Sequence, residues 1–178
     1  MATTPYVDPN TVHNPTTGGE PPAAWGDTVR DGLEFLIDPP RCKAIRSSAV
    51  QVIPTSTWTT VTFPDADAWD TDAFHTPTES ELTVPTGLGG IYLALAVLQL
   101  DDSPTGNRAA RFLVNGSQIF GSTAVESADT LGAKTAITCT EEIELLDGDI
   151  IELQVYHQRT VDLDLDWARF SLRYVARN

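Results

Sequence analysis

The chain has 178 residues, with 25 Asp and Glu against 11 Lys and Arg, a formal charge of −14 and a pI near 4.3. That acid excess excludes a broad nucleic-acid or anionic-membrane surface, because phosphate groups are repelled by it. No apolar run approaches the ~20 residues of a membrane span, two cysteines rule out a disulfide scaffold, and the 41% apolar share supports one buried core plus an appendage.

Residues 1–22 carry Pro5, Pro9, Pro15, Pro21 and Pro22 with Gly18-Gly19. Such a stretch neither keeps helical hydrogen bonds nor buries itself, so an extended arm is expected. Its first residues lack the basic and apolar regions of a signal peptide, and secretion is not expected. A helix follows over residues 23–37, with Trp25, Val29, Leu33, Leu36 and Ile37 on one stripe and Pro39-Pro40 closing it. Gly26 and Gly32 each cost about 1 kcal/mol relative to Ala, so this helix needs tertiary contacts. Its stripe has two readings, a cap on its own domain or an anchor docked on a partner. The expected division is therefore an anchor, 1–42, and a β domain, 43–178.

Strand signals begin after Ala44. Residues 49–53 and 57–63 are β-branched and aromatic between Pro54 and Pro64, and 81–84 read as a further strand. Residues 91–98 are apolar on both faces beside a Gly cluster, as in a central strand covered on both sides. Asn115-Gly116 is a two-residue hairpin signal. Ile137, Cys139, Ile143 and Leu145 alternate with polar residues, as do Ile151, Leu153 and Val155. Val161, Leu163, Leu165 and Trp167 continue the alternation, followed by Phe170, Leu172 and Tyr174. At least eight short strands with no later helix mean an all-β antiparallel sandwich.

Chemistry-bearing residues are sparse. His13, His75 and His157 stand apart, with no metal-spaced pair, nucleophile elbow or phosphate loop, so neither enzyme activity nor a cofactor or metal is expected. Asp162, Asp164 and Asp166 share one strand face at ~6.6 Å spacing, too wide for one Ca²⁺ to take all three. They read instead as a solvated face, with cross-strand pairs to Arg169 and Arg173 feasible. Asn115-Gly116-Ser117 is read as a turn and not as a glycosylation site. Cys139 reads as a buried thiol; a bridge to Cys42 would tie anchor to sandwich. Trp58, Trp69 and Tyr156 are candidate carbohydrate-stacking aromatics, although Trp69 reads better as a buried plug.

Several segments then fall in a familiar order. Phe74-His75, Leu82-Thr83-Val84-Pro85-Thr86-Gly87, Gly90-Ile91-Tyr92-Leu93, Phe112-Leu113-Val114-Asn115-Gly116 and Leu146-Asp147-Gly148-Asp149-Ile150 resemble the jelly roll shared by complement component 1q heads and tumour necrosis factor. The resemblance covers about residues 44–178. It implies a homotrimer, with Tyr92, Ala94, Ala96 and Tyr174 at the subunit interface. Ahead of it, Val7 to Gly18 and Pro22 to Asp31 resemble virion proteins of tailed phages infecting actinobacteria, in place of a collagen stalk. That pairing implies a virion structural protein assembled in the bacterial cytoplasm. It would be a capsid decoration or head-fibre trimer held through residues 1–42 by the major capsid protein or another virion protein. The alternative is a minor tail protein whose jelly roll binds a receptor or host surface glycan.

Overall fold

The computed structural model describes residues 23–77, 79–128 and 133–177, so the expected arm over residues 1–22 lies outside them. Among the described residues one helix, α1 (Ala23–Ile37), precedes twelve strands. These are β1 (Arg41–Arg46), β2 (Gln51–Ile53), β3 (Thr59–Thr60), β4 (Trp69–Asp70), β5 (Glu81–Thr83) and β6 (Gly90–Leu100). The second half gives β7 (Asn107–Val114), β8 (Ser117–Gln118), β9 (Ala124–Ser127), β10 (Thr135–Leu145), β11 (Ile150–His157) and β12 (Leu163–Ala176).

Two six-stranded antiparallel sheets stack face to face. The first runs β10-β6-β12-β1-β4, with β2 also on β12; the second runs β3-β11-β7-β8, with β5 on β11 and β9 on β7. This is the jelly-roll sandwich. Period-two alternation sends one side chain in two between the sheets. β10 shows it over its first six residues, with Thr135, Ile137 and Cys139 buried against exposed Ala136, Thr138 and Thr140. Phe170 ties the sheets together, stacked on Phe112 at 5.3 Å and tilted against Phe63 at 6.0 Å. From the core a chain of edge-on rings, Phe74, Tyr92, Tyr174 and Phe35, leads out to α1. Gly90 starts β6 where a Cβ would meet the Ala176 carbonyl and the Tyr174 ring at 2.7 Å each, so no larger residue fits. The hairpin at Asn115-Gly116 has φ of 50° and 74°, the left-handed pair that a two-residue turn requires.

The structure departs from the sequence reading at definite places. β1 takes Arg41 and Cys42 into the sandwich, ahead of the expected boundary at 43, because Arg41 to Arg46 pair along the whole of Ala168 to Arg173. β12 is one strand with a register shift between Leu165 and Trp167. The shift moves Trp167 off the buried parity of Leu163 and Leu165 and restores it at Ala168. Asp162 to Asp166 and Arg169 to Arg173 therefore follow one another along the same chain segment and are not cross-strand partners. Cys42 and Cys139 are both buried free thiols, with Cys139 Sγ donating to the Ser122 carbonyl.

Candidate functional site

The first sheet's outer face carries a row of exposed and half-exposed apolar side chains. Along β6, Ile91, Leu93, Leu95 and Val97 point outward, with Leu93 and Leu95 each 38% exposed. Register places Glu142, Thr140 and Thr138 of β10 on one side of Leu93, Leu95 and Val97. Arg173, Ser171 and Arg169 of β12 lie on the other side, backed by Arg41, Lys43 and Ile45 of β1. A chain with only 11 basic residues thus puts four of them on one half of a single face. The face grades from acidic, through apolar, to basic.

Tyr92, Ala94, Ala96 and Tyr174 do not belong to this face. They carry the opposite parity and lie between the sheets, the first three fully buried and Tyr174 nearly so. The Tyr92 hydroxyl donates to the Leu88 carbonyl at 2.6 Å, and burial holds its pKa above the ordinary phenol value. Tyr92, Ala94 and Ala96, enclosed by their own chain, cannot touch a neighbouring subunit, so the outward set on β6 is shifted by one residue to Ile91, Leu93, Leu95 and Val97, while Tyr174 lines the groove under α1 described next.

At the end of this face, α1 overhangs the sheet. It docks through Phe35, edge-on to Tyr174 at 4.9 Å, a residue the sequence stripe omitted. The stripe itself stays outward: Leu33, Leu36 and Ile37 are exposed and Val29 is at the margin, while the Trp25 side chain lies outside the described residues. Between helix and sheet a groove of about 440 Å³ is bounded by Phe35, Leu36 and Pro39 above and Leu93, Glu142 and Arg173 below.

The second sheet's outer face is polar and internally linked. Arg111 lies over the Trp58 ring at 4.0 Å, donates to Gln154 Oε1 at 2.8 and 3.0 Å and reaches Gln118 Oε1 at 2.7 Å. Trp58 leans on Tyr156 at 5.2 Å. Two of the three candidate stacking aromatics are thereby brought together. Trp69 sits apart on β4, 44% exposed under Lys43 Nζ, and is not a buried plug.

A third cluster closes the sandwich edge. Cys42 Sγ and carboxylate oxygens of Asp67 and Asp70 lie within 4.8 Å of one another. Asp70 accepts N–H bonds from Asp72, Phe74 and His75, and His75 Nδ1 meets Asp67 Oδ1 at 2.8 Å. Burial, then the charges of Asp70 and Asp67, push the Cys42 thiol far above its ordinary range, and burial raises Asp67 as well. These donors are spent on the loop, and the cluster works as its staple. His157 is likewise structural, Nε2 on the Ile53 carbonyl at 2.8 Å and Nδ1 accepting from Arg159 N–H; His13 lies outside the described residues. The Asp162, Asp164, Asp166 ladder does not converge: Asp162 accepts from Thr55 N–H, and Asp166 pairs with Lys134 at 2.7 Å. Among the described residues no helix is long and apolar enough to cross a membrane.

No family model and no curated protein matches the sequence. Solved structures do match the fold. The globular domain of the zebrafish complement 1qA protein aligns at a TM-score of 0.59 and 14% identity, covering 78% of this chain and 99% of that one. The vertex protein P5 of the phage PRD1 aligns at 0.58 and 14%, covering 77% and 97%. Murine APRIL at pH 5.0 aligns at 0.57 and 15%, covering 76% and 98%. Identities this low establish the jelly roll and nothing finer.

Proposed function

We propose that the chain is a virion structural protein, a homotrimeric jelly roll displayed on a phage particle and held there by the N-terminal segment that precedes β1. The observation carrying the self-association is the outward row Ile91, Leu93, Leu95 and Val97 on β6, an inner strand of the first sheet. An apolar strip flanked by charged and hydroxyl side chains is stabilised by burial against another surface, at ~25 cal/mol per Å² removed from water. The particle context is supported by the likeness to a phage vertex protein and by the Pro- and Thr-rich arm ahead of α1. An arm of that composition gains order by lying along a partner, such as a major capsid protein. The acid excess keeps closely displayed copies from clumping.

The tail-protein alternative has one observation in its favour. Trp58 and Tyr156 form an aromatic pair beside Arg111 and Gln154, a combination suited to a saccharide ring with its hydroxyls.

Light scattering on the full chain tests the first part, with the mass of three chains expected at micromolar concentration; a monomer there overturns it. Electron microscopy of the parent particle with gold-labelled antibody tests the second. Label on the head supports decoration, label on the tail supports the alternative, and absence of label from the particle removes both.

A further inference from the structure

The end of the first sheet carries a feature that the apolar row on β6 does not explain. Leu36 and Ile37 of α1 are 74% and 81% exposed, although the neighbouring Phe35 of the same turn packs edge-on against Tyr174. Two adjacent, almost fully solvated aliphatic side chains are an unusual ending for a docked helix. Below them the groove opens onto Leu93, and its two flanks bear opposite charges, Glu142 on β10 and Arg173 on β12. Both are cross-strand neighbours of Leu93, so they stand two strand spacings, ~10 Å, apart and do not neutralise each other. Neither makes an ion pair with a described residue.

Charge complementarity identifies the occupant. A surface with an unpaired acid on one side of an apolar strip and an unpaired base on the other is complementary to itself when one copy's acidic side meets the next copy's basic side. The groove is also continuous through Leu93 with Leu95 and Val97, the row already assigned to self-association.

We infer that the groove under α1 and the exposed end of that helix form a seam filled by a second copy of this chain. In it Glu142 of one copy faces Arg173 of the next, and Leu36 and Ile37 pack on the neighbour's apolar strip. The inference rests on the trimer reading and deepens it. It assigns α1 to the contact between copies and leaves the segment ahead of the helix to reach the particle.

Sedimentation equilibrium on full-length variants decides the matter. Glu142→Arg and Arg173→Glu each set like charges together and weaken association by about a hundredfold. The double variant restores the attraction with reversed polarity and recovers most of that loss. Leu36→Glu, placed on an exposed residue so that the fold is untouched, weakens association to a similar degree. A trimer unchanged by Leu36→Glu and by both single reversals overturns the seam while the trimer reading stands. A double variant as weak as the singles overturns the pairing of Glu142 with Arg173. A wild-type monomer overturns the trimer reading, and the seam falls with it.

Discussion

The outer face of the first sheet presents Ile91, Leu93, Leu95 and Val97 along β6, one strand in from the β10 edge, with Glu142 and Arg173 on either side of Leu93. By contrast, the second sheet's outer face presents Trp58, Thr60, Arg111, Gln118, Gln154 and Tyr156, joined into one network by Arg111 and by Gln154 Nε2 donating to Thr60 Oγ1. Both faces cover a single shared core. The difference lies in who satisfies the surface residues. On the second sheet the chain does so itself, which suits contact with water. On the first the row on β6 stays open to solvent within a single chain, and it is this row that the proposed contact between copies would cover.

Removing the platform under both faces gives the largest effect. Phe170→Ala empties the space between Phe63 and Phe112 and costs about 3–5 kcal/mol, read as a lower urea midpoint. A cost under about 1 kcal/mol would mean that the sheets are held elsewhere. The comparison itself is tested by placing the same charge on each face. Leu95→Lys buries an unpaired ammonium at each copy-to-copy contact, at a cost of about 3 kcal/mol, and yields monomer in light scattering. Thr60→Lys on the second sheet leaves the mass unaltered. Equal behaviour of the two variants would erase the distinction. Smaller still is Arg111→Ala, which loses the contact with Trp58 and the bonds to Gln154 and Gln118. It lowers stability by about 1–2 kcal/mol in thermal unfolding without changing the oligomer.

The sandwich was legible because its strands alternate: β10 and β11 read inward and outward residue by residue, and Asn115-Gly116 marks its own hairpin. β6 was legible as a central strand but not as to its facing. With apolar residues on both parities its sequence offers no sign of which set points inward, so nothing in the strand itself corrects the expectation, carried by the resemblance, that Tyr92, Ala94 and Ala96 face a neighbour, whereas all three are buried. The neighbouring strands resolve it, through the register that puts Glu142 and Arg173 beside Leu93. The break in β12 was hidden for a related reason, since Leu163, Leu165 and Trp167 keep perfect period two across a bulge that only pairing to β6 reveals. β1 is hard to read because its inward apolar residues are small (Cys42, Ala44) and lie among Arg41, Lys43 and Arg46; it is strand by virtue of its partner. The helix was legible in extent but not in mode of docking, as Phe35 lies beside the stripe that periodicity selects.

The loop between the sheets' edges supplies the smallest and most specific prediction. The Asp65 carboxylate accepts from the Ser47 and Ser48 N–H groups and from both their hydroxyls, and those bonds hold its pKa down to about 2. A carboxyl whose folded pKa lies below its unfolded one contributes stability above the unfolded value, and that contribution disappears as pH falls through the folded value. For Asp65 the window runs from about 4 down to about 2. Asp65→Asn therefore lowers the melting temperature at pH 7, and the gap to wild type narrows as the pH is brought through that window. Asp101 and Asp147, also held low by N–H bonds, are present in both proteins and cancel in the difference. A gap that stays constant from pH 7 to pH 2 would show that the two serines clamp the loop without drawing on the charge of Asp65.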